Sequence, residues 1–535
     1  MEFAPITITR TDNLISIAPV SYAPILGPHL TWQRQVRAPR GYGSKRGKPF
    51  YKTEEEPLFR LTDHELITFA GLRFKVYDLL KSYAPIAYLD ERTPAWLFPQ
   101  PCMENLGGFR HGQQAALETV WKSDGGIIDC STGWGKSEEI AKICTSYHGL
   151  EDYPIIVVAP GKEILNNIVE RLATYGIDAG LVDGSHNKRR QITVCSAFSL
   201  MKMEDNGDLS KARLCLFDEV HRCAATTIRT PLIRMSKARM FGFSATVEGR
   251  ADNADIVIEA LFGRRICTVT YGEAEKHKLV APMHVIMVET EGPAMDIQDP
   301  TAKTRHGIWR NNARNQMFAS VASQLVEMGQ TLIITQTLEH AANIFKLLPP
   351  GWQLVYGNHP QSMVKTEKRK FDKKLENNPE LPEGSFPKKP ASLRRAERMA
   401  KEFQEMGLPP LSESRRKELA EQFKRGEIRG VVATGIWSTG VDYPGLQFVI
   451  RTEGSASEIQ SGQTSGRGSR LSEAFGKSIG IVIDAEDKFD DSLARRRQSR
   501  VRVYQKNGWS IQRGARPEEV PTLCQQILTS SNNTI

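Results

Sequence analysis

The run CSTGWGKS, Cys130–Ser137, follows the apolar segment GIIDC directly and precedes a stretch of helical composition. No other part of the chain constrains the fold as much. Phosphate oxygens need backbone N–H donors at close approach. Gly133 and Gly135 allow that curvature, and the helix that follows aims its positive end at the anion. Lys136 then places a cation on the outer phosphates, and Ser137 offers a hydroxyl to Mg²⁺. Ser131, Thr132 and Trp134 complete the loop and are expected to line the same nucleotide site. The first loop position is Cys130 rather than the glycine of the strict pattern.

The surroundings repeat this rhythm. From about 106 to 285, short apolar runs (GIIDC, PIIVVA, ITVC, LCLF, MFGFS) alternate with helical patterns, and a second series (TLIITQ, WQLVYG, GVVATG, QFVIR, IGIVID) follows a Gly/Pro/Asp-bearing stretch. Alternation of that kind predicts two parallel sheets with helices on both faces, an α/β class. The expected division is an N-terminal accessory domain at 1–105 and a first lobe at 106–288. A linker at 289–305, a second lobe at 306–515 and a polar tail at 516–535 follow. Within the second lobe, residues 360–412 contain no apolar strand and are dominated by Lys, Arg and Glu, so they read as a basic, partly helical insertion.

Composition bounds the setting. A length of 535 residues allows about three domains. Lys plus Arg number 71 against 62 Asp plus Glu, a net +9 that is compatible with a polyanionic partner. The 8 cysteines include no CxxC pair, which argues against a zinc site of ordinary spacing and for a reducing compartment. No apolar run approaches the roughly 18 residues of a membrane span, and MEFAPITITR lacks a signal-peptide layout, so a cytoplasmic protein without membrane association is expected.

Three further motifs carry chemistry. LCLFDEVH ends a strand on Asp218, Glu219 and His221, the first of them 82 residues (218 minus 136) past the loop lysine. Asp218 is expected to hold Mg²⁺ through its waters, and Glu219 to orient and deprotonate the attacking water. MFGFSAT then supplies Ser244 and Thr246, hydroxyls able to bond the acidic pair and sense nucleotide state. Near the end, ATGIWSTGVDYPG brings Ser438, Gly440 and Asp442 to a strand end, and QTSGRGSR brings Gln463, Arg467 and Arg470. Two arginines three apart on a helical turn share a face and could stabilise transition-state charge.

This ordered set resembles superfamily 2 helicases and translocases with two RecA-like lobes, across roughly residues 106–510. RHGQQAAL, CSTGWGKS, DEVH, SAT followed by Arg250 and Asp252, and GRGSR resemble more narrowly the branch that includes the XPB repair helicase and the phage UvsW-type branch-migration helicases. The resemblance implies ATP with Mg²⁺ as cofactors, Gln113 reading adenine, and Gly440 and Asp442 on the nucleotide side. It implies catalytic roles for Lys136, Asp218, Glu219 and the arginine fingers Arg467 and Arg470. It also implies that His221, Ser244, Thr246 and Gln463 couple hydrolysis to movement. Thr464 stands where many relatives carry an arginine, and Val247 where proline is common.

Nucleic acid is the substrate the resemblance implies, and two features of the chain agree. Between Trp32 and Thr53, Arg34, Arg37, Arg40, Lys45, Arg46, Lys48 and Lys52 occur with no acidic residue and with aromatics interleaved. Such a stretch can neutralise phosphates and stack on unpaired bases. Gly161, Lys162 and Ser196 in the first lobe, and Thr335, Gln336 and Ser438 in the second, fall at strand ends where a phosphate track is expected. The basic stretch ARRRQSRVRVYQK has the spacing of a helix with one packed face, which leaves DNA contact there open. The acidic motif is not DEAD, and no nuclease constellation is visible. The expected function is therefore an ATP-dependent motor on forked, branched or duplex DNA in recombination, replication or repair. The alternatives are an RNA helicase and an ATP-switched binding protein without unwinding. Replication or recombination proteins are conceivable partners and an oligomer is not required. A phage origin, which the resemblance allows, would place the protein in the host cytoplasm.

Overall fold

A computed structural model describes residues 4–37, 51–92, 99–104, 106–204, 207–245, 252–293, 295–297, 299–376, 389–435, 443–455 and 466–532. The chain divides into two units, Met1–Val280 with Ser457–Gly466, and Ala281–Ala456 with Arg467–Ile535.

The larger sheet of the first unit has eight strands. Their order is Asn187–Lys188, Gly180–Val182, Ile192–Ser196, Ile155–Ala159, Leu214–Asp218, Arg239–Ser244, Gly125–Cys130 and Arg265–Val269. All pair in parallel except the short outermost strand. Ile155–Ala159, Leu214–Asp218 and Arg239–Ser244 are buried at every position, as strands covered by helices on both faces must be. Parallel pairing brings the C-terminal ends of three neighbouring strands, and with them the loop after Cys130, Asp218 and Ser244, to one edge.

The N-terminal residues build a five-stranded sheet (Phe59–Leu61, Leu66–Phe69, Leu14–Ala18, Ile6–Thr11, Ile86–Asp90) and a separate hairpin. Alternating ITIT and LISIA put Ile6, Ile8, Ile15 and Ile17 on one buried face. The expected accessory domain at 1–105 does not stand apart. Arg10 and Arg92 donate to the two oxygens of Asp124 at 2.6 Å each, and Asn13 donates to the carbonyls of Met235 and Ala238. The N-terminal sheet and the first lobe share one hydrophobic core.

The second unit holds a seven-stranded, all-parallel sheet in the order Gln353–Val355, Gly430–Ala433, Gln330–Ile334, Leu446–Arg451, Gly480–Ala485, Met283–Val288, Ser510–Ala515. Together the two sheets make the tandem RecA-like α/β architecture that the resemblance implies.

Two expected boundaries need correction. Met283–Val288, placed by the sequence in the first lobe, pairs with Gly480–Ala485 and Ser510–Ala515, so the division falls at 280/281 and not at 288. A continuous apolar run carries no mark of which parallel sheet it will join. The tail at 516–535 contains a helix, Val520–Asn532, with Val520 and Cys524 buried in the second core. Val520, Leu523, Cys524, Ile527 and Leu528 follow the helical apolar period, which the polar ending TSSNNTI obscures.

The insertion is helical, with Pro360–Glu376 packing against Ala391–Glu405. Leu393, Ala396, Met399 and Phe403 form the buried stripe of the second helix. Lys365, Lys368, Arg369, Lys370 and Lys373 are exposed on the first.

Candidate nucleotide site and nucleic-acid face

The strand Gly125–Cys130 feeds the loop, and the helix Lys136–Ser146 leaves it. Gly133 and Gly135 have φ of 95° and 110°, in the region that favours glycine. A Cβ on Gly135 would also lie 2.9 Å from Nε2 of Gln113 and would push that amide aside, while the positive φ is what strains any other residue there. The Nζ of Lys136 donates to the Cys130 carbonyl at 3.2 Å, which folds the cation back over the loop. Ser137 and Thr132 are half-buried, and Ser131 is buried with its hydroxyl unpartnered.

Gln113 opens the helix Gln113–Lys122 and is fully buried. Its Oε1 accepts from the backbone N–H of Arg110 at 2.9 Å, while its Nε2 has no partner. A buried amide donor left open is costly unless a ligand completes it. Trp134 differs from the expectation that it faces the nucleotide. Its ring is fully buried, and its Nε1 donates to the His111 carbonyl at 2.9 Å, so it ties the phosphate loop to the turn that carries Gln113.

On the adjacent strand end, burial pushes the Asp218 carboxyl up to about 7, with the Glu219 charge adding to the effect and Lys136 opposing it. Burial also works against the charge on Glu219. The hydrogen bond with His221, the cation of Lys136 and the nearby Arg222 outweigh it and hold Glu219 below the ordinary carboxylate range. The two neighbouring carboxyls thus differ in character, one disposed to hold a proton or cation and the other to stay a charged base. Glu219 has φ 54° and ψ 53°, left-handed backbone that a non-glycine residue adopts only under constraint. His221 Nδ1 lies 3.3 Å from Oε2 of Glu219 and 3.3 Å from Oγ of Ser244, joining the acidic motif to the next strand end.

Among the described residues, no group of three or more His, Cys, Asp or Glu could hold a metal alone. Ser137 and Asp218 fit a Mg²⁺ that takes most of its oxygens from phosphates and water, the usual habit of that ion. Bound there with the nucleotide, it would supply charge neutralisation at the transferring phosphate.

Other expected residues fare variously. Gly161 caps the helix Lys162–Thr174, Lys162 is exposed, and Ser196 is half-buried at its strand end. Thr335 is buried, and both its N–H and hydroxyl donate to the Ala433 carbonyl, so Gln336 is the exposed member of that pair. Arg34 and Lys52 sit on the hairpin Thr31–Arg37 and Tyr51–Pro57, and both pair with Glu54, at 3.1 and 2.9 Å. Trp32, expected to offer a face to bases, is only 3% exposed and anchors the hairpin instead: its Nε1 donates to the Asp252 carbonyl at 2.8 Å. Arg470 follows the turn Gly466–Ser469 and is half-buried. Arg40, Lys45, Arg46, Lys48, Thr246, Ser438, Gly440, Asp442, Gln463 and the side chains of Arg37 and Arg467 lie outside the described residues.

Sequence reasoning missed a buried ionic network in the second unit. Arg500 donates to Asp484 at 2.8 Å and to the Ser455 carbonyl at 3.4 Å, and Tyr504 donates to Asp484 at 2.7 Å. Arg314 grips Asp487 with two nitrogens, at 2.8 and 3.2 Å. The basic run that contains Arg500 is therefore in part structural, and Ser455 ends the described stretch 443–455. The helical spacing in that run was the available signal.

Comparison with known proteins matches two parts of the chain to described families. Residues 107–249 match the family described as type III restriction enzyme, res subunit, and residues 407–472 match the helicase conserved C-terminal domain. With the tandem sheets, the two matches point to one class, the superfamily 2 helicase-type ATPases, which the chain resembles in both matched regions. It is similar to the DNA 3'-5' translocase XPB2 of Sulfurisphaera tokodaii, 22% identical over 448 residues that cover 81% of this chain and 94% of that protein. Among solved structures, a fragment of a putative HsdR subunit of a type I restriction enzyme from Vibrio vulnificus superposes with a TM-score of 0.51 at 18% identity, covering 79% of this chain and 71% of that one. Dbp5 of S. cerevisiae, bound to RNA and ADP BeF3, also gives 0.51, at 13% identity and with 82% and 97% covered. At these identities the two structures speak for the fold alone. No helix among the described residues is long and apolar enough to cross a membrane.

Proposed function

We propose that this chain is an ATP-driven, Mg²⁺-dependent DNA helicase or translocase acting on forked or branched DNA. The observation that carries the reading is the arrangement at one sheet edge. Lys136, the Asp218–Glu219 pair of opposed character and the His221–Ser244 bridge stand together with an open amide at Gln113. A clamp that merely switches on ATP does not need a strained, charged Glu219 held beside a bonded histidine. Similarity along nearly the full length of a DNA translocase favours DNA as the track. Gly161, Lys162, Ser196 and Gln336 are proposed to follow the phosphate backbone, and Arg467 and Arg470 to support turnover.

The preference for branched DNA rests on two accessory elements that a motor on plain duplex does not need. They are the hairpin that carries Arg34 and Lys52 and the lysine-bearing helical pair of the insertion. One grips duplex while the other separates strands or follows the junction. Comparing ATPase stimulation and unwinding on duplex, forked, four-way and single-stranded DNA and on RNA tests this directly. Forked and four-way DNA are expected to stimulate most, and a preference for RNA would move the chain to the other substrate. Deleting the insertion, residues 360–412, should weaken unwinding of junctions more than of simple forks. Equal rates on both would remove that role.

A further inference from the structure

A groove of about 450 Å³ opens in the first unit where the N-terminal hairpin meets the C-terminal sheet edge. Its hairpin wall is Trp32 and Arg34, its lobe wall is Arg222 and Ile228, and Phe198 stands at its margin. That volume lies within the range of small-ligand clefts, about 300–1,000 Å³.

Phe198 is 72% exposed, more than any other large apolar side chain described. Its neighbours Ala197, Ser199 and Leu200 are buried, so the turn Ala197–Met203 after Ser196 is fixed and directs the ring outward. Exposed aromatics are unremarkable when scattered. This one stands beside two guanidinium groups, two residues beyond a candidate phosphate contact. The Arg34 guanidinium lies 4.8 Å from the Trp32 ring centroid, and that of Arg229 lies 5.6 Å from it, so the hairpin wall is a stack of planar groups held in place. Arg229 also pairs with Glu56 of the hairpin. At the inner end His221 lines the groove and touches both Glu219 and Ser244.

We infer that this groove binds one unpaired nucleotide of the nucleic-acid track, with Phe198 stacking on the base and Arg34 and Arg222 neutralising its phosphate. The inference rests on the reading of the chain as a nucleic-acid motor and adds the feature read there: a base freed from its partner. A rigid apolar ring beside cations is the ordinary platform for single strands, and it tolerates every base because each has a π-face. A duplex cannot present a base face at such a site, so the groove distinguishes unpaired from paired strands. Its occupant bears on the nucleotide side through a single imidazole.

The test uses the full chain and oligonucleotides of equal length carrying 2-aminopurine, single-stranded or paired, with wild type, Phe198→Ala and Phe198→Trp. Phe198→Ala is expected to weaken single-strand binding about 5- to 100-fold, as removal of one base stack does. It should also abolish quenching of 2-aminopurine and leave duplex affinity unchanged. Phe198→Trp should restore both affinity and quenching. Equal single-strand affinity and quenching in Phe198→Ala overturns the site, and so does a weakening shared equally by duplex and single strand. Altered self-association with intact DNA binding overturns it in favour of a protein contact. Wild type that binds no oligonucleotide at all removes the motor reading itself, whereas normal wild-type binding with an unaffected Phe198→Ala removes only the groove.

Discussion

At the scale of single residues, position 135 concentrates the demands on the nucleotide site. Its φ of 110° favours glycine, and a Cβ there would stand 2.9 Å from the Gln113 Nε2 and displace that amide. Gly135→Ala is expected to cost about 1–3 kcal/mol of stability. It should also weaken nucleotide binding well beyond what that destabilisation explains, read by thermal melting and a fluorescent ATP analogue. Lys136→Ala should abolish hydrolysis, because it removes the cation that the loop folds over its own phosphate-binding curve. The left-handed backbone at Gly133 and Gly135 was legible in CSTGWGKS because backbone curvature is a local property. The burial of Trp134 was not. A tryptophan between two glycines reads as a ligand-facing ring, and only the tertiary contact with His111 shows that it braces the turn.

Elements supply what the motifs lack, namely a rigid frame. In the second unit Asp484 is fully buried. Burial works against its charge, yet Arg500, Arg451 and the Tyr504 hydroxyl hold its pKa below the ordinary carboxylate value. A carboxyl lowered on folding adds stability above its unfolded pKa of about 3.9 and loses it as pH falls through the folded value. The second unit should therefore melt at nearly constant temperature from about pH 7 to about pH 5, then fall steeply below about pH 4. Arg500→Ala should destabilise it by about 3–5 kcal/mol at neutral pH, since it strands a buried charge. A cost below about 1 kcal/mol would show that water reaches Asp484. Five strands of each sheet were readable from apolar runs bounded by turn residues, whereas edge strands such as Asn187–Lys188 and Ser510–Ala515 carry too few apolar residues to show. This network was not, because Asp484, Asp487, Arg314 and Arg500 are up to 186 positions (500 minus 314) apart and meet only when parallel strands align. The same limit hid the allegiance of Met283–Val288, whose partner strand comes nearly two hundred residues later.

For the whole molecule, the first unit joins the candidate nucleotide site, a docked hairpin and the N-terminal sheet through one core, with Asp124 gripped by Arg10 and Arg92. Removing the charges of Arg34 and Lys52 is expected to flatten the dependence of duplex affinity on salt, by about 0.9 in log–log slope for each phosphate no longer neutralised. An unchanged slope would leave their pairing with Glu54 as their whole role. The central claim is that Glu219 activates water for a hydrolysis that nucleic acid drives. Steady-state ATP turnover by wild type and Glu219→Gln, with and without forked DNA, tests it most directly. Wild type should be stimulated by the fork. The variant should bind ATP and fork normally, yet turn over slower by about 10²–10⁴-fold or more. Near-normal, fork-stimulated turnover in Glu219→Gln would contradict the account.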